Sequence, residues 1–141
     1  MCRAAYHTDA VIIDSAISTG IEKFCIRKNV KLIGVAPEAE ILYPKVNPTE
    51  RFDNELTNGH THFILLGDKK KELKWGDESH VKAEIADKVA AGKYGNKPKC
   101  KVVAVLIGDN DRCVNELACV IDTCYKNLVQ RKRLACCCYR R

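Results

Sequence analysis

Short apolar runs rich in β-branched residues alternate along this chain with stretches of helical period, and that alternation limits the fold more than any other feature. Residues 10–13 (AVII) read as a short buried strand that ends at Asp14 and a small-residue turn, residues 15–20. Residues 21–28 read as helix, with Ile21, Phe24 and Cys25 on one face, and residues 30–35 (VKLIGV) as the next strand. Residues 36–59 carry Pro37, Pro44, Pro48 and Gly59 without a sustained period and read as a long loop. A third strand is predicted at residues 62–66 (HFILL), followed by a basic surface loop over residues 69–74. Residues 77–91 repeat Val81, Ile85, Ala86 and Val89 at helical spacing. Asp77, Glu78 and Ser79 supply an acidic, capping start and Gly92 a stop. Residues 101–107 (KVVAVLI) form a continuous apolar run, as in a strand covered on both faces. Asp111 then caps a long helix whose predicted buried stripe is Val114, Leu117, Ala118, Ile121, Cys124 and Leu128.

Strands alternating with helices imply a parallel sheet with right-handed crossovers. The fold class expected is therefore α/β: a Rossmann-like, three-layer domain with a mostly parallel sheet. Such sheets bind ligands outside the carboxyl ends of their strands. Here those ends are residues 14–20, 35–37, 66–75 and 108–111.

The length of 141 residues suits one domain, expected over residues 1–130 and followed by a tail, and a chargeable fraction of 30% with 46% hydrophobic residues argues against disorder. The net charge of +6 is concentrated at the end, where Arg131, Lys132, Arg133, Arg140 and Arg141 meet no acid. A nucleic-acid-binding domain would spread its basic residues over a face of the body, so nucleic acid is not an expected partner. Nine cysteines is an odd number, and no signal peptide is legible, so reduced thiols in a cytoplasmic protein are expected. No CxxC pair lies outside the Cys136–Cys138 run, which disfavours a zinc ribbon. That run, beside the five cations of residues 131–141, has two readings: acylation with attraction to an anionic membrane, or an unpacked terminus without a role. His60 and His62 share a face of an extended segment and, with His80, offer a weak metal signal; hydrogen-bonded structural histidines are the simpler expectation, and no metal is expected.

Three segments carry a resemblance to a known family: residues 32–37 (LIGVAP), 59–66 (GHTHFILL) and 75–79 (WGDES). In this order and spacing they resemble the LSDAT domain of the SLOG superfamily, which includes the N-terminal domain of melastatin-type TRP channels and bacterial stand-alone proteins. The resemblance runs from about Val11 to Thr123, and the WGDES form is closer to the bacterial branch. It implies a Rossmann-like fold that senses nucleotides related to NAD or ADP-ribose, and a link to a channel or neighbouring domain. Trp75 matches the position of an aromatic residue that stacks on the ligand. Gly76 and Glu78 keep the motif, and Lys82 falls where the channels place an arginine against phosphates; lysine keeps the charge and loses the bidentate fork.

Two departures mark a divergent or truncated copy. The family's Gly-Gly-Thr phosphate turn is Ser15-Ala16-Ile17 here, leaving Ser18 and Thr19 as hydroxyl donors and Gly20 as the retained glycine. The later glycine pair is reduced to Gly108-Asp109-Asn110, and the family's first strand and helix have no counterpart. The ligand-binding set expected is thus Ser18, Thr19, Gly20, Trp75, Gly76, Glu78, Lys82, Gly108 and Asn110, in a binding module without catalysis and without a resident cofactor. Asp77 and Glu78 would repel phosphate, so ribose hydroxyls are their better partners. Two alternatives stay open. One is an enzyme of the neighbouring branch that removes ribose phosphate from nucleotides, for which Glu116 keeps the spacing of the catalytic glutamate while the motif's glycines and threonine are lost. The other is a degenerate copy that only packs against another protein.

Overall fold

A computed structural model describes residues 2–17, 29–43, 54–92, 100–105 and 111–131. The chain divides into two compact units, Met1–Glu78 and Ser79–Arg141.

The first unit opens with helix α1, Cys2–His7, which the sequence pattern did not mark because six residues hold less than two turns of periodicity. Its end is local chemistry. Thr8 Oγ1 donates to the Ala4 carbonyl at 2.8 Å, and Asp9 takes a left-handed φ of 49°, which stops the helix and turns the chain into the sheet. Strands β1 (Val11–Asp14), β2 (Lys31–Pro37) and β3 (His62–Leu66) form a parallel sheet in the order β1-β2-β3. The three lie within two residues of the runs predicted for them. As the central strand, β2 is covered on both faces: Leu32, Val35 and Ala36 are fully buried, which is why its sequence is apolar without alternation.

Two small clusters hold this sheet. Ala5 of α1 packs with Val30 and Leu32 against Ala10 and Ile12. Ala16, Ala36 and Ile41 form the other, with Ile17, Leu56, Leu65 and Trp75 packed around them. Asp14 pairs in register with Gly34, so β1 stops three residues before β2 does, and the turn after it lies on Gly34. A Cβ at Gly34 would stand 2.6 Å from both Cα and Cβ of Ala16; only glycine lets the turn settle there. The predicted long loop is partly ordered. A 3₁₀ turn spans Glu38–Glu40, Asn54 Nδ2 donates to the Glu40 carbonyl, and a parallel bridge joins Leu42 and Glu55.

The second unit consists, among its described residues, of α2 (Ser79–Ala90), an extended segment at residues 100–105, and α3 (Asp111–Arg131). Helix α2 starts two residues later than predicted, because Asp77 and Glu78 are engaged in the turn before it. It stops at Gly92, whose φ of 68° and N–H donated to the Val89 carbonyl make a C-cap.

Two expectations are corrected in this unit. Of the strand expected at residues 101–107, residues 106 and 107 lie outside the described residues and 101–105 form no strand: alternate residues are half-buried, and Val103 and Val105 face solvent. β-Propensity reports fit to a pleated, covered surface, and β-branched residues without a ladder partner do not make a strand. Nor is the covered stripe of α3 the predicted one. Val114 and Ile121 are 51% and 48% exposed and Ala118 also faces solvent, whereas Glu116, Leu117, Cys119, Val120 and Thr123 are at least half-buried. The covered side of α3 includes Glu116, which pairs with Lys82 of α2, and leaves out the apolar line through Val114, Ala118 and Ile121. The side chains of Cys124 and Leu128, like the predicted helix at residues 21–28, lie outside the described residues.

Candidate functional site

At the carboxyl end of β1 the Asp14 carboxylate organises the turn. Its Oδ1 accepts the Ala16 N–H at 3.0 Å, an Asx turn that holds Ala16 at a left-handed φ of 66°. The same oxygen receives His60 Nε2 at 2.6 Å. With the proton on Nε2, His60 Nδ1 accepts from Thr57 Oγ1 at 2.9 Å, and Thr57 N–H donates to the Ala16 carbonyl. The His60 side chain is completely buried, and Asp14 Oδ2 is buried without a hydrogen-bond partner. His60 is thus a structural histidine that ties the start of β3 to the end of β1. His62 is exposed, with Nδ1 3.0 Å from Thr61 Oγ1, and the shared face expected of the two residues is absent because His60 precedes the strand. In the other unit His80 pairs with Glu84 one turn along α2. Among the described residues no three histidine, cysteine or carboxylate side chains group around a metal position.

The carboxyl ends of β2 and β3 open onto a cleft of about 410 Å³, lined by Glu38, Ala39 and residues 66–73. Its charges balance: Lys69, Lys70 and Lys71 face Glu38, Asp68 and Glu72. The strand ends expected at residues 35–37 and 66–75 border this cleft, and Glu38 and Ala39 fall in the expected loop.

The WGDE turn follows directly. Trp75 is half-buried against Ala16, Ala36 and Ile41. Gly76 has a φ of 108°, a region closed to side-chain-bearing residues except under strain, and its N–H donates to Glu78 Oε2 at 2.6 Å. Glu78 is fully buried. Asp77 Oδ2 accepts the Lys74 N–H at 3.0 Å and Lys71 Nζ at 3.2 Å. The Lys74 amide, and then the Lys71 ammonium, hold the Asp77 carboxyl below its ordinary value. Both carboxylates therefore close a backbone turn.

In the second unit Ser79 begins α2 and is buried, with an Oγ that has no hydrogen-bond partner. Lys82 is only 8% exposed, and its Nζ lies 2.6 Å from Glu116 Oε1 on α3. The candidate catalytic glutamate, Glu116, and the candidate phosphate contact, Lys82, are thus joined in one ion pair. Of the other residues expected to bind ligand, Ser18, Thr19, Gly20, Gly108 and Asn110 lie outside the described residues.

The sequence matches one family model, described as SLOG in TRPM, prokaryote, over residues 1–129. The chain belongs to this SLOG family. The match extends beyond the 11–123 span carried by the three motifs and takes in α1 and most of α3. No curated protein matches the chain. The parallel sheet of this SLOG domain, with helices before and after it in sequence, agrees with the small Rossmann-like α/β fold expected. Among its described residues no helix is long and apolar enough to cross a membrane.

Proposed function

We propose that this SLOG domain binds a nucleotide-derived ligand of the ADP-ribose or NAD kind, in the cytoplasm, and acts as a sensor and not as a catalyst, with occupancy biasing a partner or neighbouring domain such as that of a cation channel. The observation that carries the reading is Trp75: a half-buried indole at the carboxyl side of a parallel sheet, on a turn held by two carboxylate-to-amide bonds. An indole fixed in this way loses little freedom on stacking against a base or ribose, an interaction that contributes about 1–3 kcal/mol. The resemblance assigns phosphate contacts to Lys82, in the second unit, and to the turns at Gly20 and Gly108, which lie outside the described residues. The Gly76 amide is already taken by Glu78, so this glycine serves the turn and leaves ligand contact to its neighbour.

Calorimetric titration with ADP-ribose and with NAD tests the proposal, with Trp75→Ala as comparator. Binding that weakens roughly tenfold or more in the variant supports it, in line with the stacking energy lost. Absence of heat from the native chain at millimolar ligand defeats it for those two compounds.

A further inference from the structure

Val114, Ala118, Ile121 and Tyr125 recur at helical spacing and so lie on one line along α3. Val114, Ile121 and Tyr125 are 51%, 48% and 63% exposed. Glu116, paired with Lys82 of α2, and the buried Thr123 occupy the other side of the helix, so the line points away from α2. A helix that only packs within its own domain carries polar residues on its outer face. This one carries an aliphatic and aromatic stripe.

The charge of the chain changes along the same helix. No aspartate or glutamate follows Asp122, whereas Lys126, Arg131, Lys132, Arg133, Arg140 and Arg141 supply six cations, the whole of the net charge of +6. Asp122 is itself met by Lys126 at 2.6 Å, one turn along. Between the last arginines stand Leu134, Ala135, three cysteines and Tyr139. Residues 132–141 lie outside the described residues and count here by charge and composition alone.

An apolar line that runs on into a segment of cations selects its occupant. A second copy of α3 laid parallel would set six cations against six. Laid antiparallel, it would set them against an end where Asp111 and Arg112 cancel. A nucleic acid offers phosphates and no apolar layer. A bilayer with anionic headgroups offers both, the charge at its surface and the acyl boundary a few ångströms beneath. Among the described residues no helix is long and apolar enough to cross a membrane, so the contact is one of lying on the surface.

We infer that α3 and the basic segment after it dock on an anionic lipid surface, with the Val114–Tyr125 line at the acyl boundary and the six cations among the headgroups. Tyr125 suits that depth, its ring in the apolar layer and its hydroxyl toward water. The contact is reversible and needs no acyl chain on Cys136–Cys138. It also stands apart from the ligand reading.

Cosedimentation of the full-length chain with vesicles, under reducing conditions, is the test. The chain is expected to pellet with vesicles of two parts phosphatidylcholine to one part phosphatidylserine and to stay in solution with phosphatidylcholine alone. Release is expected at about 1 M salt, where the screening length falls to about 3 Å. Changing Arg131, Lys132 and Arg133 together to Gln is expected to lower the partition coefficient about a hundredfold, roughly fivefold for each cation. The double variant Ile121→Ser, Tyr125→Ser is expected to lower it about tenfold through lost apolar contact. Failure to pellet with the anionic vesicles, or equal pelleting with both kinds, overturns the inference. Unchanged binding by the double variant overturns it too, because the helix face then takes no part. A native chain that is dimeric by sedimentation velocity, and that the double variant makes monomeric, shows the face covered by a second copy and equally overturns it. Should the double variant melt below the assay temperature, Tyr125→Ser alone is expected to weaken binding about threefold, and unchanged binding there is decisive against the inference.

Discussion

Asp14, Thr57 and His60 come from segments more than forty residues apart, and together they fasten the end of β1 to the approach to β3. Removing the imidazole leaves a carboxylate with little access to water whose Oδ1 keeps only the Ala16 amide, and breaking a buried hydrogen bond to a charged group typically costs about 1.5–3 kcal/mol. With the ring's packing lost as well, His60→Ala is expected at the upper end, about 3 kcal/mol, by urea denaturation. Thr57→Val removes only a neutral hydrogen bond and is expected to cost about 1 kcal/mol. Equal losses in the two variants would mean that the carboxylate is rehydrated when the ring is absent. Nothing in the sequence around Asp14 announces this arrangement, since it depends on Gly34 admitting the turn and on the register of β2.

Elements built on local periodicity were legible. Strands β1, β2 and β3 and the stop at Gly92 follow from runs and turn residues whose preferences agree with their tertiary setting. Misreadings fell where tertiary context decides: the 101–105 segment without a ladder, and the exposed line of α3 through Val114 and Ile121. If that line is uncovered, Val114→Ser and Ile121→Ser should each change stability by less than about 0.5 kcal/mol, against 2 or more for a core position. The WGDE turn allows a test by pH. Its Asp77 carboxyl is held below the ordinary value of 3.8 by the Lys74 amide and the Lys71 ammonium. A depressed carboxyl contributes stability that is present above the unfolded value and lost as pH falls through the folded one. The Lys74 amide resonance should therefore titrate with a midpoint below 3.8, and Asp77→Asn should abolish that transition. A midpoint at or above 3.8 would contradict the clamp.

For the molecule as a whole, the family match over residues 1–129 and the parallel sheet place this chain among SLOG domains. A ligand that binds only the folded state stabilises it by mass action. At a hundredfold excess over Kd the gain is about 2.7 kcal/mol. For a chain of this size that corresponds to a rise in Tm of roughly 5–10 °C. ADP-ribose or NAD should give such a rise in a thermal melt, and Trp75→Ala should reduce it at the same ligand concentration. A melt unmoved by either compound agrees with the silent calorimetric outcome and removes both from consideration.

One property of the WGDE turn makes these experiments simpler than usual. Trp75 is the sole tryptophan among 141 residues. Indole fluorescence therefore comes from a single known spot with no label attached. A flat aromatic compound settling on that ring would quench or shift the signal, and a screen of unlabelled metabolites needs only a fluorimeter. The chain carries its own lamp beside the place where its occupant is expected.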